Sequence, residues 1–172
     1  MVRDAQAALD TLAGLNFADG ARVWGVGYGL GSLVGLHVGA LDERLAGFVS
    51  VCGPPPFRLD TQEKGTGGLR RWSHLAMLLP RLGFFAGQEV RVPYDLHDLF
   101  ACLAPRPLLV VSPQLDREAA LEDVTQVVEA ARPVYALHGA ADRLQQVAPE
   151  DYNRLSPATK SLVVEWLIAQ AV

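Results

Sequence analysis

A β-prone run, Arg22-Val-Trp-Gly-Val26, leads into Gly27-Tyr28-Gly29-Leu30-Gly31 and then into a helix-prone stretch. That order has the layout of a nucleophile elbow, G-x-S-x-G, whose strained central residue presents its side chain for attack on a carbonyl carbon. The flanking glycines let strand and helix pack closely. Here the central residue is Gly29, so a turn laid out for acyl transfer carries no attacking oxygen. Tyr28 and the N–H of Leu30 flank that position and are the expected ligand contacts.

Other residues of suitable chemistry have simpler roles. Ser32 lies three residues past Gly29, in the first turn of the expected helix and turned away from the cleft. Cys52 follows the next strand at its carboxyl end, where a thiol nucleophile is conceivable, but no histidine is placed beside it. His138, in His138-Gly-Ala-Ala-Asp142, is either a substitute base or a residue that complements the dipole at a helix end. His37 sits mid-helix as a packed or solvated side chain. Asp95-Leu-His97-Asp98 does not put three ligands on one helical face, and no second histidine or cysteine accompanies it, so no metal is expected. Arg70, Arg71 and Trp72 form either a clamp for an anionic ligand or a solvated arginine pair. The strict dinucleotide pattern G-x-G-x-x-G is absent, and Val49-Ser-Val-Cys-Gly53 offers no carboxylate for a ribose, so no cofactor is expected.

Residues 4–15 form a helix with Ala5, Ala8, Leu9, Leu12 and Leu15 on one face. A strand over 22–26 precedes the glycine turn. The helix over 32–41 packs closely on a neighbour, since Gly35 and Gly39 recur four apart. A buried strand over 45–51 stops at Gly53-Pro-Pro-Pro56. Residues 57–94 show no sustained period and read as a long, lid-like surface excursion. A short helix capped by Asp95 covers 95–103, an apolar strand 107–113 and a helix 117–131. Residues 133–137 read as a strand or as a short helix opened by proline; in the helical case the last strand is 143–147. Ser156-Pro157 opens a closing helix to Ala171. Apolar strands separated by helices give an α/β fold, a parallel sheet of about four strands covered on both faces.

Length and composition fit one domain over residues 1–172. Half of the residues are hydrophobic and 20% are charged, which excludes a disordered tail. No apolar run approaches the roughly 18 residues of a membrane span, and the polar start lacks the apolar core of a signal peptide. The net charge of −4 gives no footprint for nucleic acid or anionic lipid. Two cysteines are too few for a disulfide framework, so a cytoplasmic setting is expected.

At the level of motifs the chain resembles α/β-hydrolases of the dienelactone hydrolase and acetylxylan esterase group. The likeness rests on the elbow, on Leu41-Asp-Glu-Arg-Leu45 after it, on Ala104-Pro-Arg-Pro-Leu-Leu-Val-Val-Ser-Pro113 with Leu115-Asp116, and on Tyr135 through Gly139-Ala-Ala-Asp142-Arg-Leu144. The resemblance implies that Asp116 stands at the acid position of a Ser-His-acid triad. It also implies that the histidine belongs in the loop Pro149-Glu-Asp-Tyr-Asn153-Arg-Leu-Ser-Pro157, where Asn153 stands. An amide cannot take a proton near pH 7 as a general base must.

The resemblance further implies that the chain corresponds to the carboxyl-terminal half of the hydrolase fold, with only the Leu30 N–H left as an oxyanion donor. The expected function is that of an acyl-ester hydrolase relative whose triad is degraded to Gly29, Asp116 and Asn153. Such a pseudoenzyme holds a small acyl-ester-like ligand with little or no ordinary turnover. Two alternatives stay open. One is an active hydrolase using an atypical site or a partner chain. The other is an assembly module that forms a homo-oligomer, or pairs with another chain, through the 22–26 strand edge.

Overall fold

The computed structural model describes residues 1–75 and 77–170. Four parallel strands, β1 (Val23–Tyr28), β2 (Leu45–Val51), β3 (Leu108–Val111) and β4 (Leu144–Val147), form one sheet in the order β1-β2-β3-β4. Helices α1 (Val2–Ala13), α2 (Leu30–Leu41), α3 (Leu96–Leu103), α4 (Leu121–Leu137) and α5 (Pro157–Gln170) connect or flank the strands. This is the expected α/β fold with a four-stranded parallel sheet. Ala171, placed at the end of the last helix by the sequence reading, lies outside the described residues.

Alternation along the central strands sorts the core into two layers. Phe48, Leu108 and Val110 face the larger one, where α1 to α4 contribute Leu9, Leu36, Leu99, Leu103 and Val128. Val49, Val51, Leu109 and Val111 face the other, closed by Val163, Leu162, Trp166 and Leu167 of α5. No helix among the described residues is long and apolar enough to cross a membrane.

Several boundaries differ from the sequence reading. The first strand runs to Tyr28, so the glycine turn begins inside it. Helix α4 starts at Leu121 because Asp116 first makes a local turn, its Oδ1 accepting from the N–H of Glu118 and Ala119 at 2.8 and 3.3 Å. It then runs through Pro133 to Leu137, which decides the open alternative at 133–137 for helix and leaves β4 as the last strand. Fully buried Tyr135, donating to the Arg106 carbonyl at 3.1 Å, holds the turn after the proline.

The 57–94 segment is not confined to the surface. It holds a π-helical turn at Arg71–Leu75 and 3₁₀ turns at Pro80–Phe85 and Glu89–Arg91, while Phe57, Leu69, Trp72, Leu82 and Val92 enter the main core. Buried Asp60 fixes it internally, accepting from Thr66 Oγ1 and from Trp72 Nε1, the latter at 3.0 Å. Burial pushes the Asp60 carboxyl above the usual range, partly offset by these two donors.

Asp95 joins the segment to α3. Its carboxylate, 2% exposed, accepts from the N–H of Phe57, Leu96 and Arg58 at 2.7, 2.7 and 2.9 Å. Asp95→Ala strands these donors with no side-chain acceptor. We expect a loss of about 3 kcal/mol in a urea titration, with Asp95→Asn intermediate. A change below about 0.5 kcal/mol would contradict this role.

Candidate active site

Parallel strands deliver their following loops to one end of the sheet, and the register makes that end sharp. Tyr28 pairs with Val51, Val51 with Val111 and Val111 with Val147, so the last residues of all four strands form one row. Just past that row stand Gly29, Cys52, Asp116 and Asn153. Positions from residue 29 to residue 153 are thereby gathered at the carboxyl ends of the four strands.

The elbow is built. Gly29 has φ 54° and ψ −114°, and its N–H donates to the Val51 carbonyl at 3.0 Å. A side chain at this position meets nothing within 4 Å of its Cβ, so it points into open space. Gly27 is required for the opposite reason: a Cβ there would lie 2.3 Å from the Gly31 carbonyl oxygen and 2.4 Å from the Ser32 nitrogen. Leu30 opens α2, placing its N–H among the unpaired donors at that helix end.

Asn153 bridges the site. Its Nδ2 donates to Asp116 Oδ1 and Oδ2 at 3.1 and 3.0 Å. A carboxylate only accepts, so the amide turns its NH₂ toward it and leaves Oδ1 for the Tyr28 hydroxyl, which donates at 3.0 Å. The Tyr28 hydroxyl also lies 3.2 Å from the Asn153 carbonyl oxygen. Desolvation, followed by the nearby Cys52, Asp116 and Glu118, pushes the Tyr28 hydroxyl upward, so it stays a donor at neutral pH. Asp116 thus fixes the orientation of the Asn153 amide.

Tyr28, Gly29, Leu30, Cys52, Gly53, Pro54, Arg71, Trp72, Leu78, Glu118 and Asn153 line a cleft of about 370 Å³. Arg71 and Trp72 come from the 57–94 segment, which closes one wall. Arg71 Nη2 lies 3.0 Å from Glu118 Oε2, and its guanidinium carbon lies 5.5 Å from the centre of the Trp72 ring. Glu118 and Leu78 escaped the sequence reading; they have no motif, and only the fold brings them here.

The remaining candidates lie elsewhere or are occupied. Ser32 is fully buried, with its Oγ 2.5 Å from Ser50 Oγ. His37 is held between the Leu33 carbonyl and the Tyr94 hydroxyl at 2.8 and 3.0 Å. His138 caps the end of α4, exposed and before β4, at the opposite end of the strands from Gly29. His97 and Asp98 lie 3.5 Å apart on α3. Among the described residues no group of three His, Cys, Asp or Glu side chains is arranged to hold a metal ion.

Cys52 is in the cleft floor but poorly suited to attack. It is 2% exposed at a φ of 47°, and burial, followed by the charge of Asp116, pushes its thiol up to about 11. At pH 8 a thiol of that acidity is about 10⁻³ ionised, against roughly a quarter for an ordinary one near 8.5. Iodoacetamide at pH 8 should therefore label exposed Cys102 first and Cys52 at least about 10²-fold more slowly, read by peptide mass spectrometry. Equal rates would contradict this environment.

A family model described as glucuronyl esterase, fungi, matches residues 27–139, well over half of the chain. Among solved structures, the chain is similar to a promiscuous CE15 esterase from a marine bacterial metagenome, with a TM-score of 0.79 and 19% identity over 96% of this chain and 46% of that one. It is also similar to a glucuronoyl esterase from Solibacter usitatus, with a TM-score of 0.78 and 19% identity over 98% and 47%. An esterase from Pyrococcus furiosus matches with a TM-score of 0.65 and 16% identity over 98% and 60%. The chain spans just under half the length of the first two of these structures. A search of curated proteins finds no match.

Proposed function

Because the chain belongs to the glucuronyl esterase family, we propose that it holds a glucuronyl-type ligand in the cleft above Gly29 without hydrolysing it by the Ser-His-acid route. Membership upholds the coarse expectation, an esterase relative of α/β-hydrolase type, while the family shown is glucuronyl esterase and not the dienelactone hydrolase and acetylxylan esterase group that the motifs resemble. The observation that carries the proposal is the pairing of an intact elbow with an empty side-chain position. The strained turn, the open space before it and the Asp116–Asn153–Tyr28 chain remain, while the attacking oxygen and the proton-accepting imidazole are missing.

The sizes of the missing contributions support this reading. Removing the nucleophile or the histidine of a serine protease costs on the order of 10⁶ in turnover. Binding needs neither group. It draws on the cleft walls, on a hydrogen bond from the Leu30 N–H, on the Tyr28 hydroxyl oxygen as an acceptor, and on the Arg71 charge. Cys52 offers no replacement, being buried and overwhelmingly protonated.

Hydrolysis of an activated acetate ester tests the chemistry. The unaltered chain and Gly29→Ala should both match the buffer rate. Turnover that survives Gly29→Ala would overturn the proposal by moving the chemistry to another site.

A second reading has its own observation. Among the described residues β1 has a neighbour on one side only, and its sequence, Val-Trp-Gly-Val-Gly-Tyr, has neither the charge nor the proline that protects edge strands. On this reading a second copy pairs with β1. Light scattering at high micromolar concentration should then give a dimer, and a strict monomer would refute it.

A further inference from the structure

Resting on the reading of the cleft as a glucuronyl-ligand site, we infer that the site prefers the free acid of the sugar, a uronate, to its ester. Arg71 is the residue that selects it, and Glu118 is a tethered stand-in for the ligand carboxylate.

Three observations carry this. First, Arg71 is the one cationic side chain among the described residues that line the cleft. Second, its guanidinium is placed rather than free. It stacks beside Trp72, which is 7% exposed and tied through Nε1 to Asp60 at 3.0 Å. Cation–π contact with a fixed ring holds the donor fork at the cleft wall. Third, a carboxylate already sits on that fork, with Arg71 Nη2 at 3.2 and 3.0 Å from Glu118 Oε1 and Oε2.

That internal carboxylate is easily displaced. The Glu118 main chain is fixed, since its N–H donates to Asp116 Oδ1 at 2.8 Å. Its side chain is half exposed, and an exposed ion pair of this kind is worth about 0–1 kcal/mol. A ligand carboxylate entering the cleft replaces Glu118 on Arg71 and sends the glutamate to solvent. The two acids compete for one guanidinium. Asp116 does not compete, because the Asn153 amide and the N–H groups of Glu118 and Ala119 already occupy it. An ester carbonyl is uncharged and cannot displace Glu118 in this way, so the charge-assisted pair discriminates acid from ester.

The test is a calorimetric titration of the full chain at low salt with glucuronate and with methyl glucuronate. The acid should bind at least about tenfold more tightly than the ester. Arg71→Gln should bring the ratio of the two affinities to about one, and Glu118→Gln should widen it several-fold by removing the competitor. Residual ester binding by Arg71→Gln shows that the variant is folded. Equal binding of acid and ester by the unaltered chain, or a ratio that Arg71→Gln leaves in place, overturns the inference while the ligand site stands. If neither sugar binds, the inference and the proposed function fall together.

Discussion

A chain carrying Gly29→Ser and Asn153→His together is expected to hydrolyse an activated acetate ester at least about 10²-fold faster than the unaltered chain, while either change alone stays near the buffer rate. On the proposed reading the frame for both groups is in place. Position 29 has the elbow turn, with φ 54° and ψ −114°, and a Cβ there meets nothing within 4 Å. Position 153 has an acid to orient its side chain, because Asn153 Nδ2 already lies 3.0 and 3.1 Å from the two Asp116 oxygens. The single changes fail because nucleophile and base act as a unit, and each is inert without the other. Serine at a positive φ costs about 1–3 kcal/mol of backbone strain, which should appear as a lower denaturation midpoint. A folded double variant that remains at the buffer rate would mean that Asp116 and position 153 do not form a catalytic frame with the elbow.

Gly27→Ala is expected to cost more than about 3 kcal/mol, several-fold more than most single changes, and to leave much of the chain unfolded at 37 °C. The added methyl would lie 2.3 to 2.4 Å from the Gly31 carbonyl group and the Ser32 nitrogen. These are backbone atoms in the first turn of α2, and that helix is itself packed against β1 and the core through Leu33 and Leu36. Relief requires moving the helix off the sheet. Gly29→Ala, two residues away, meets no atom and bears only the strain of its φ, so it should be the milder of the two. Urea titrations of the pair give the comparison directly, and similar midpoints would contradict the close strand-to-helix packing at the elbow.

The fold was legible because its signals are local. Apolar strands such as Leu108–Val111 and the glycine-dense turn at 27–31 carry their structure in composition and order. The four-residue recurrence of Gly35 and Gly39 likewise announced a closely packed helix: Cβ atoms there would lie 2.2 Å from the Phe48 ring and 3.1 Å from Leu103. Pro133 was ambiguous because a proline reads as a break, yet the Tyr135 anchor, remote in sequence, carries the helix past it. The 57–94 segment misled because its buried residues follow no period; Asp60, Thr66 and Trp72 form a polar knot that only the folded chain assembles.

The site divides in the same way. Gly29 was legible from the turn itself, whereas Asp116 and Asn153 became legible only through a family resemblance, and the structure shows them hydrogen-bonded. Glu118 was not legible at all. Its position depends on the local turn at Asp116 and on the approach of Arg71 from a distant segment, and neither leaves a mark in sequence order.

On the proposed reading this cleft binds a glucuronyl ligand and does not turn it over. Time-resolved proton NMR of methyl glucuronate with the unaltered chain tests both halves in one sample. Saturable broadening or shifting of the sugar signals is expected, with no methanol released above the buffer control. Methanol released in step with protein concentration, or sugar signals unmoved at millimolar ligand, would contradict it.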